Sequence, residues 1–392
     1  MKRFIIAAIA LLVALGASGQ QALDSGAPVV SPQIHGDNSV TFRLIAPKAV
    51  RVQVAGDFLP AEGVDKEEVP LIADMTEKDG IWEYTTKPLA SELYSYSFIV
   101  DGLEILDPNN VYINRDVASV KNIFITGNGQ GDYYKVNDVR HGTVRKVWYD
   151  SPTLGITRRM TIYTPPGYDE DKKTRYPVFY LLHGAGGDED AWMTLGRTSH
   201  IMDNLIAQGK AEPMIVVMTN GNAGELSAPG EGPEGFRAPV FRQKGMMDGA
   251  FEISFCDVIS YIERNFRVYK DKKHRAIAGL SMGGYHSMHI SKYYPDMFDY
   301  VGLFSAAARF HKNSQSPVYQ NEIEQIENQF AKKPALYWIA IGNEDFLYEE
   351  NVKFRQILDE RGFEYEYFEN GEGHIWRNWR LYLTMFVPRL FR

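Results

Sequence analysis

Cysteine is almost absent from this chain: Cys256 is the only one among 392 residues. An internal disulfide is therefore excluded, and no Cys/His cluster indicates a structural zinc site. Cys256 falls in an apolar helical pattern, so we expect it to be a small buried core residue. Basic blocks are also missing, and the formal net charge is -8. Nucleic acids and anionic membranes are therefore not expected as partners.

Long apolar runs are missing too, apart from a short one at the start of the chain. Lys2 and Arg3 precede an apolar stretch at 4–15 and small residues at 17–19. This order is typical of a signal peptide over residues 1–19, and the stretch is too short to span a bilayer. A lipoprotein is not expected, because no cysteine stands at the cleavage site. We expect an exported protein, secreted or periplasmic, without membrane insertion.

The N-terminal part of the remaining chain has the pattern of an all-β domain. Between residues 28 and 126, short alternating strands, such as one at 40–45, and turn signals such as Asp101-Gly102 predict an immunoglobulin-like sandwich. Its aromatic residues fill the core or an interdomain face, or they stack on sugar rings; they are Trp82, Tyr94, Tyr96 and Phe98. The glycine-rich link at 127–131 is too short for a flexible tether, so we expect the sandwich to pack against the C-terminal part of the chain.

Strands and helices alternate from residue 140 to residue 392. Strands are predicted near 160–164, 178–182, 214–219, 276–279, 300–305, 336–341 and 364–368, and helices near 198–208, 250–266, 284–293, 349–361 and 376–386. This alternation predicts a doubly wound α/β sheet with helices on both faces. Active residues of such sheets lie at the carboxyl ends of the strands.

A serine stands where one of these strands meets a helix, in Gly279-Leu280-Ser281-Met282-Gly283. In this setting G-x-S-x-G forms a nucleophile elbow, a sharp turn that exposes the serine hydroxyl. The two glycines leave room for strand and helix to cross closely. The helix N-terminus favours the negative charge that develops during attack. We therefore predict that Ser281 is a nucleophile.

A nucleophilic serine needs a base and an acid that orients the base, in the chain order serine, Asp or Glu, histidine. His374 follows the last predicted strand in a glycine-rich loop and is the predicted base. Asp345 follows the strand at 336–341 and is the predicted acid, with Glu344 as the alternative. Either carboxylate could instead cap the next helix.

An oxyanion hole requires two backbone N–H groups. Met282, directly after the serine, is expected to supply one. The second is expected from Ala185 in the loop His183-Gly184-Ala185-Gly186-Gly187, where Gly184 is predicted to border the substrate. His183 precedes the serine in the chain, so we interpret it as a structural hydrogen-bonding residue.

Taken together, these motifs resemble the esterase D-like family, in particular carbohydrate esterase family 1, which includes feruloyl and acetylxylan esterases. The resemblance extends from about residue 145 to the end and includes the segments 176–187, 279–284, 342–345 and 373–379. It implies an α/β-hydrolase fold, the triad Ser281, Asp345 and His374, and no metal or cofactor. The sandwich resembles early-set domains related to carbohydrate-binding module family 48.

The resemblance and the export signal together imply a serine esterase that releases ferulic acid from feruloylated xylan or arabinoxylan. Trp192, Trp376 and the loop at 221–247 are candidates for binding the aromatic acyl group. The nearest alternative is an esterase of acetylated xylan. A siderophore esterase and a non-catalytic glycan-binding protein are further alternatives.

Overall fold

The computed structural model describes residues 29–59, 71–311 and 314–392, so the signal peptide predicted for residues 1–19 lies outside the described residues. Two small β-sheets form a sandwich, and an eight-stranded sheet flanked by helices follows. In the described part of the chain, no helix is long and apolar enough to cross a membrane.

In its described residues, the sandwich contains ten strands: β1 (Gln33–Ile34), β2 (Val40–Ile45), β3 (Val52–Gly56), β4 (Ile72–Asp74), β5 (Thr76–Lys78), β6 (Ile81–Thr85), β7 (Leu93–Val100), β8 (Leu103–Ile105), β9 (Ile113–Asp116) and β10 (Ser119–Ile125). One sheet has the order β1-β2-β6-β5. The other has the order β4-β3-β7-β10-β9, with β8 paired to β7. The predicted all-β sandwich is confirmed.

Alternate residues of the sandwich strands face a common core, as the period of a β-strand requires. In β2, Val40, Phe42 and Leu44 are buried. The four aromatic residues considered for sugar stacking are 9%, 5%, 1% and 0% exposed; they are Trp82, Tyr94, Tyr96 and Phe98. The core interpretation is therefore correct for these side chains, and the sugar-stacking one is wrong.

The larger sheet contains β11 (Thr143–Ser151), β12 (Ile156–Thr164), β13 (Val178–Leu182), β14 (Ile215–Thr219), β15 (Arg275–Leu280), β16 (Tyr300–Phe304), β17 (Leu336–Gly342) and β18 (Glu366–Asn370). Their order is β11-β12-β14-β13-β15-β16-β17-β18. The pairs β11/β12 and β12/β14 are antiparallel, and all the remaining pairs are parallel.

The helices are α1 (Ala191–Thr194), α2 (Thr198–Ala207), α3 (Ala250–Asn265), α4 (Met282–Tyr293), α5 (Glu322–Ala331), α6 (Tyr348–Glu360) and α7 (Trp376–Phe386). Successive residues of β13 belong to different cores: Val178 and Tyr180 to one, Phe179 and Leu181 to the other. Both faces of the sheet are thus covered, which explains the continuous apolar runs of its strands. The predicted α/β sheet is confirmed. Cys256 on α3 is only partly buried, so the expectation of a buried core residue is wrong.

The sandwich packs directly on the α/β domain. Leu93 and Ile123 of the sandwich belong to the same apolar cluster as the α7 residues Tyr382 and Leu383. At this interface the buried Arg380 guanidinium donates to Glu92 at 2.9 Å and to the Leu93 carbonyl at 3.0 Å. A shared core and a buried ion pair fix the sandwich in place, so the expected packing of the two regions is confirmed.

Candidate active site

The predicted nucleophile Ser281 lies in the turn between β15 and α4, at the carboxyl end of a central strand. Its backbone has φ 54° and ψ -114°, a conformation that costs a non-glycine residue about 1–3 kcal/mol. Two hydrogen bonds hold the turn: the Ser281 N–H donates to the Phe304 carbonyl at 2.9 Å, and the Ala307 N–H donates to the Ser281 carbonyl at 3.2 Å. This is the geometry of a nucleophile elbow.

The glycines around Ser281 are required by close backbone contacts. A β-carbon on Gly279 would lie 2.8 Å from the Leu182 carbonyl oxygen, and one on Gly283 would lie 2.6 Å from the His183 carbonyl oxygen. Backbone atoms cannot move aside as a flexible side chain can. The glycines therefore allow α4 to pass directly over the end of β13, as the motif predicts.

The predicted base and acid are hydrogen-bonded to each other. Nδ1 of His374, in the loop between β18 and α7, lies 2.8 Å from Oδ2 and 3.0 Å from Oδ1 of Asp345, in the turn after β17. The Asp345 side chain is fully buried, and the Leu347 N–H donates to it at 2.9 Å. A proton on Nδ1 directed at Asp345 leaves Nε2 as the basic nitrogen of the ring. Glu344, the alternative acid, is exposed.

The loop predicted to hold an oxyanion approaches Ser281 from the end of β13. A β-carbon on Gly184 would lie 3.3 Å from the Ser281 β-carbon. Among the described residues, the N–H groups of Ala185 and Met282 donate to no acceptor. Met282 is the first residue of α4, so its N–H also carries the positive end of the helix dipole. Two such donors can stabilise a negatively charged oxygen.

His183 is a structural residue of this loop. Its Nδ1 lies 2.7 Å from the Gly184 carbonyl, and its Nε2 accepts a hydrogen bond from the Gly221 N–H at 2.8 Å. Burial lowers the pKa of His183 to about 4, so the ring is neutral at physiological pH. A neutral ring with Nδ1 protonated satisfies both bonds. The interpretation of His183 as a hydrogen-bonding residue is confirmed.

A cavity of about 210 Å³ lies over this edge of the sheet, and Ser281 and His374 both border it. One water molecule needs roughly 10–15 Å³ of such space, so the cavity has room for a sizeable organic group. Gly184 and Ala185 form part of its wall. Its aromatic lining consists of Phe241, Phe346, Trp376 and Trp379. The Phe346 ring lies 4.5 Å from the His374 ring, centroid to centroid.

The two tryptophans predicted to contact substrate differ in position. Trp376 borders the cavity. Trp192 is only 1% exposed, and its indole N–H donates to the Leu182 carbonyl at 2.8 Å. It lies behind Trp376, with the two rings edge to face at 5.3 Å. A direct substrate contact by Trp192 is therefore wrong, because the indole is held inside the core.

One wall of the cavity was not predicted from the sequence. Arg115, Asp116 and Val117 border it, and they belong to the β9–β10 hairpin of the sandwich. No local motif places this hairpin near Ser281, because the contact depends on how the two domains pack. Phe346 was also missed, although it directly follows the predicted acid.

Metal binding receives no support from the arrangement of the side chains. Within residues 29–59, 71–311 and 314–392, no group of three or more His, Cys, Asp or Glu residues is placed to hold a metal ion. The chemistry of the site is that of a hydroxyl, an imidazole, a carboxylate and two backbone donors.

A strand–serine–helix elbow at the carboxyl edge of a mostly parallel sheet defines the α/β-hydrolase class. The family model described as "Putative esterase" matches residues 151–390, and that of carbohydrate-binding module 48, the isoamylase N-terminal domain, matches residues 26–113. The chain belongs to this esterase family and carries a module-48-type sandwich in front of the esterase domain.

One curated relative and two solved structures illustrate the similarity. The endo-1,4-beta-xylanase/feruloyl esterase of Xylanibacter ruminicola is 30% identical over 367 residues, which cover 92% of this chain and 46% of that protein. The chain thus spans about half the length of this relative. A ferulic acid esterase structure is 27% identical, with TM-score 0.53, over 63% of this chain and 97% of that one.

The enterobactin esterase of Shigella flexneri resembles both domains in fold. The match covers 89% of this chain and 92% of that one with TM-score 0.60, at 14% identity. At this identity the likeness concerns the fold alone.

Proposed function

We propose that this protein is an exported serine carboxylic-ester hydrolase that releases ferulic or related hydroxycinnamic acids from feruloylated xylan or arabinoxylan. The observation that carries the proposal is the hydrogen bond between His374 and the buried Asp345, beside a cavity that also contains Ser281. Export rests on the pattern of residues 1–19 alone.

In the first half of the proposed reaction, Ser281 is acylated. Its Oγ attacks the ester carbonyl carbon while Nε2 of His374 takes the hydroxyl proton. The carbonyl oxygen becomes an oxyanion, which accepts hydrogen bonds from the N–H groups of Met282 and Ala185. Asp345 holds the imidazole in the required tautomer. The intermediate then collapses: the bond to the sugar oxygen breaks, and His374 returns the proton to that oxygen.

Deacylation repeats these steps with water as the nucleophile. His374 takes a proton from the water molecule, whose oxygen attacks the acyl carbon. Ser281 leaves with the proton from His374, and the free carboxylic acid departs. The sequence of steps consumes one water and needs no cofactor.

The aromatic lining of the cavity supports a hydroxycinnamoyl rather than an acetyl group. Phe241, Phe346 and Trp376 offer ring faces and edges to a planar acyl chain. An acetyl group would leave most of the cavity unfilled. The name of the Xylanibacter ruminicola relative includes feruloyl esterase activity, which supports the same substrate class.

The charge of the cavity does not favour an anionic siderophore. Among the described residues that border it, Arg115 is the only lysine or arginine, and its guanidinium is paired with Asp188. A cation already neutralised by a carboxylate provides little attraction for a further anion.

The proposal is tested by hydrolysis of methyl ferulate, p-nitrophenyl acetate and acetylated xylan, with Ser281→Ala as the control. We expect serine-dependent cleavage of methyl ferulate. Cleavage of acetyl esters alone would instead indicate an acetylxylan esterase, and no serine-dependent cleavage would contradict the proposal.

The choice of acyl group is tested with a pair of tryptophan variants. Trp376→Ala removes an indole from the cavity wall, whereas Trp148→Ala removes a partly exposed indole on β11. We expect Trp376→Ala to lower kcat/KM for methyl ferulate about tenfold, with a smaller effect on p-nitrophenyl acetate. Trp148→Ala should leave both unchanged. Equal losses on both esters in Trp376→Ala would argue against a hydroxycinnamoyl pocket.

A further inference from the structure

The turn that joins β9 and β10 contains an unusual residue. Asp116 pairs with Ser119, so the hairpin has a two-residue loop, Val117 and Ala118. Hairpins of this length with positive φ at the first loop residue generally use glycine, asparagine or aspartate there. Here the residue is Val117, with φ 51°. A β-branched side chain at positive φ is strained, and such strain persists only where surrounding contacts enforce it.

Val117 contacts the loop at 183–188, which is predicted to hold the oxyanion and is called the oxyanion loop below. A β-carbon on Gly186 would lie 2.6 Å from Cγ2 of Val117, so the valine methyl packs against the Gly186 backbone. Gly186 itself has φ 76° and stands directly after Ala185. The sandwich thus presses on the oxyanion loop one residue from the predicted N–H donor.

The Arg115 guanidinium ties the turn to this loop. It donates to the Val117 carbonyl at 2.9 Å and pairs with Asp188, which is 4% exposed at the end of the oxyanion loop. The turn is therefore anchored to the loop through Arg115, and the Val117 methyl group fills the gap between the turn and the loop.

We propose that Val117 of the N-terminal sandwich is a positioning residue for the oxyanion hole, which holds the loop 183–188 so that the Ala185 N–H points at the reacting carbonyl. The inference rests on the proposed ester hydrolysis. It makes the sandwich a structural part of the active site, whether or not the sandwich also binds glycan.

The test is Val117→Gly in the full chain, assayed with p-nitrophenyl acetate. Glycine adopts positive φ without strain, so we expect the melting temperature to stay the same or rise. Because the packing on Gly186 is lost, we expect kcat to fall about tenfold with little change in KM. The small acetyl group is chosen so that remote substrate contacts do not contribute.

Two further variants distinguish a loss of loop positioning from a general disturbance of the hairpin. Val117→Thr keeps the branched shape against Gly186, so we expect it to retain most of the wild-type kcat. Val120→Ala, on the exposed side of the same hairpin, should leave kcat unchanged. The rate of covalent labelling of Ser281 by a fluorophosphonate should follow kcat across the series, since the adduct places an oxygen in the same hole.

The outcomes distinguish this inference from the proposed function. If Val117→Gly keeps the wild-type kcat while Ser281→Ala abolishes hydrolysis, the positioning role is wrong and the esterase stands. A rise in KM for methyl ferulate without any change in kcat would make Val117 a substrate contact and would likewise overturn it. If the wild type shows no serine-dependent hydrolysis, both proposals fail together.

Discussion

Nδ1 of His374 donates to Oδ2 of Asp345 at 2.8 Å, across 29 residues of sequence. The two residues follow neighbouring parallel strands, β17 and β18, and meet at the carboxyl edge of the sheet. The carboxylate is fully buried while the imidazole borders the cavity. The pair therefore extends from the interior of the protein to the cavity that Ser281 also borders.

Asp345→Asn should retain the fold and lose most of the activity. The amide can no longer hold the tautomer in which Nε2 is basic, so we expect kcat for methyl ferulate to fall about 10⁴-fold. The matched control is the neighbouring exposed carboxylate, in Glu344→Gln, which should remain close to wild type. The reverse pattern, with the larger loss in Glu344→Gln, would assign the acid to Glu344.

Stability should decline in mild acid because His183 is buried and neutral. Burial lowers its pKa from 6.5 to about 4, so the unfolded chain takes up a proton first as the pH falls. This contribution to stability is complete above pH 6.5 and is lost as the pH falls towards 4. We expect His183 alone to account for about 2 kcal/mol of lost unfolding free energy by about pH 5.

His183→Gln, with a side chain that does not titrate, should weaken this pH dependence. The measurement is urea unfolding near neutral pH and in mild acid, compared with the wild type. His274→Gln provides the control, because that ring is 36% exposed. An unchanged pH dependence in His183→Gln would mean that other groups cause the acid sensitivity.

Breaking the buried ion pair between the domains should cost far more than breaking an exposed one. Arg380→Ala removes four hydrogen bonds to Glu92, Leu93 and Leu195 and leaves the Glu92 carboxylate buried. We expect the free energy of unfolding to fall by about 3–5 kcal/mol. Arg51→Ala breaks a pair whose side chains are 62% and 63% exposed, so it should cost less than about 1 kcal/mol. Similar effects of the two changes would contradict a tightly packed interface.

Much of the fold can be predicted from local sequence patterns. The alternating residues of β2 and the amphipathic run of α7 were predicted with the bounds that the structure has, Val40–Ile45 and Trp376–Phe386. In both, apolar residues recur at the period of the element, so the sequence pattern predicts the type of element and its bounds. The strand β11 was missed because it is an edge strand with charged and exposed residues. The helix α5 was missed because it begins with Glu322 and is largely polar.

The parts of the site that depend on short sequence motifs were predictable, and those that depend on domain packing were not. The elbow at Ser281 and the carboxylate at Asp345 both come directly after recognisable strands, and the parallel sheet brings them to one edge. The hairpin turn at Val117 joins the same cavity only through the packing of two domains, which no local pattern encodes. Trp192 was predicted to contact the substrate. The residues around it in the sequence do not distinguish a tryptophan that lines the cavity from one that packs behind the lining.

The proposed role of Ser281 is tested most directly by kcat/KM for methyl ferulate, measured for the wild type and for Ser281→Ala of equal melting temperature. We expect measurable hydrolysis by the wild type and a loss of roughly 10³- to 10⁶-fold in the variant. Near-wild-type hydrolysis by Ser281→Ala would show that another group is the nucleophile, and the proposed mechanism would be wrong.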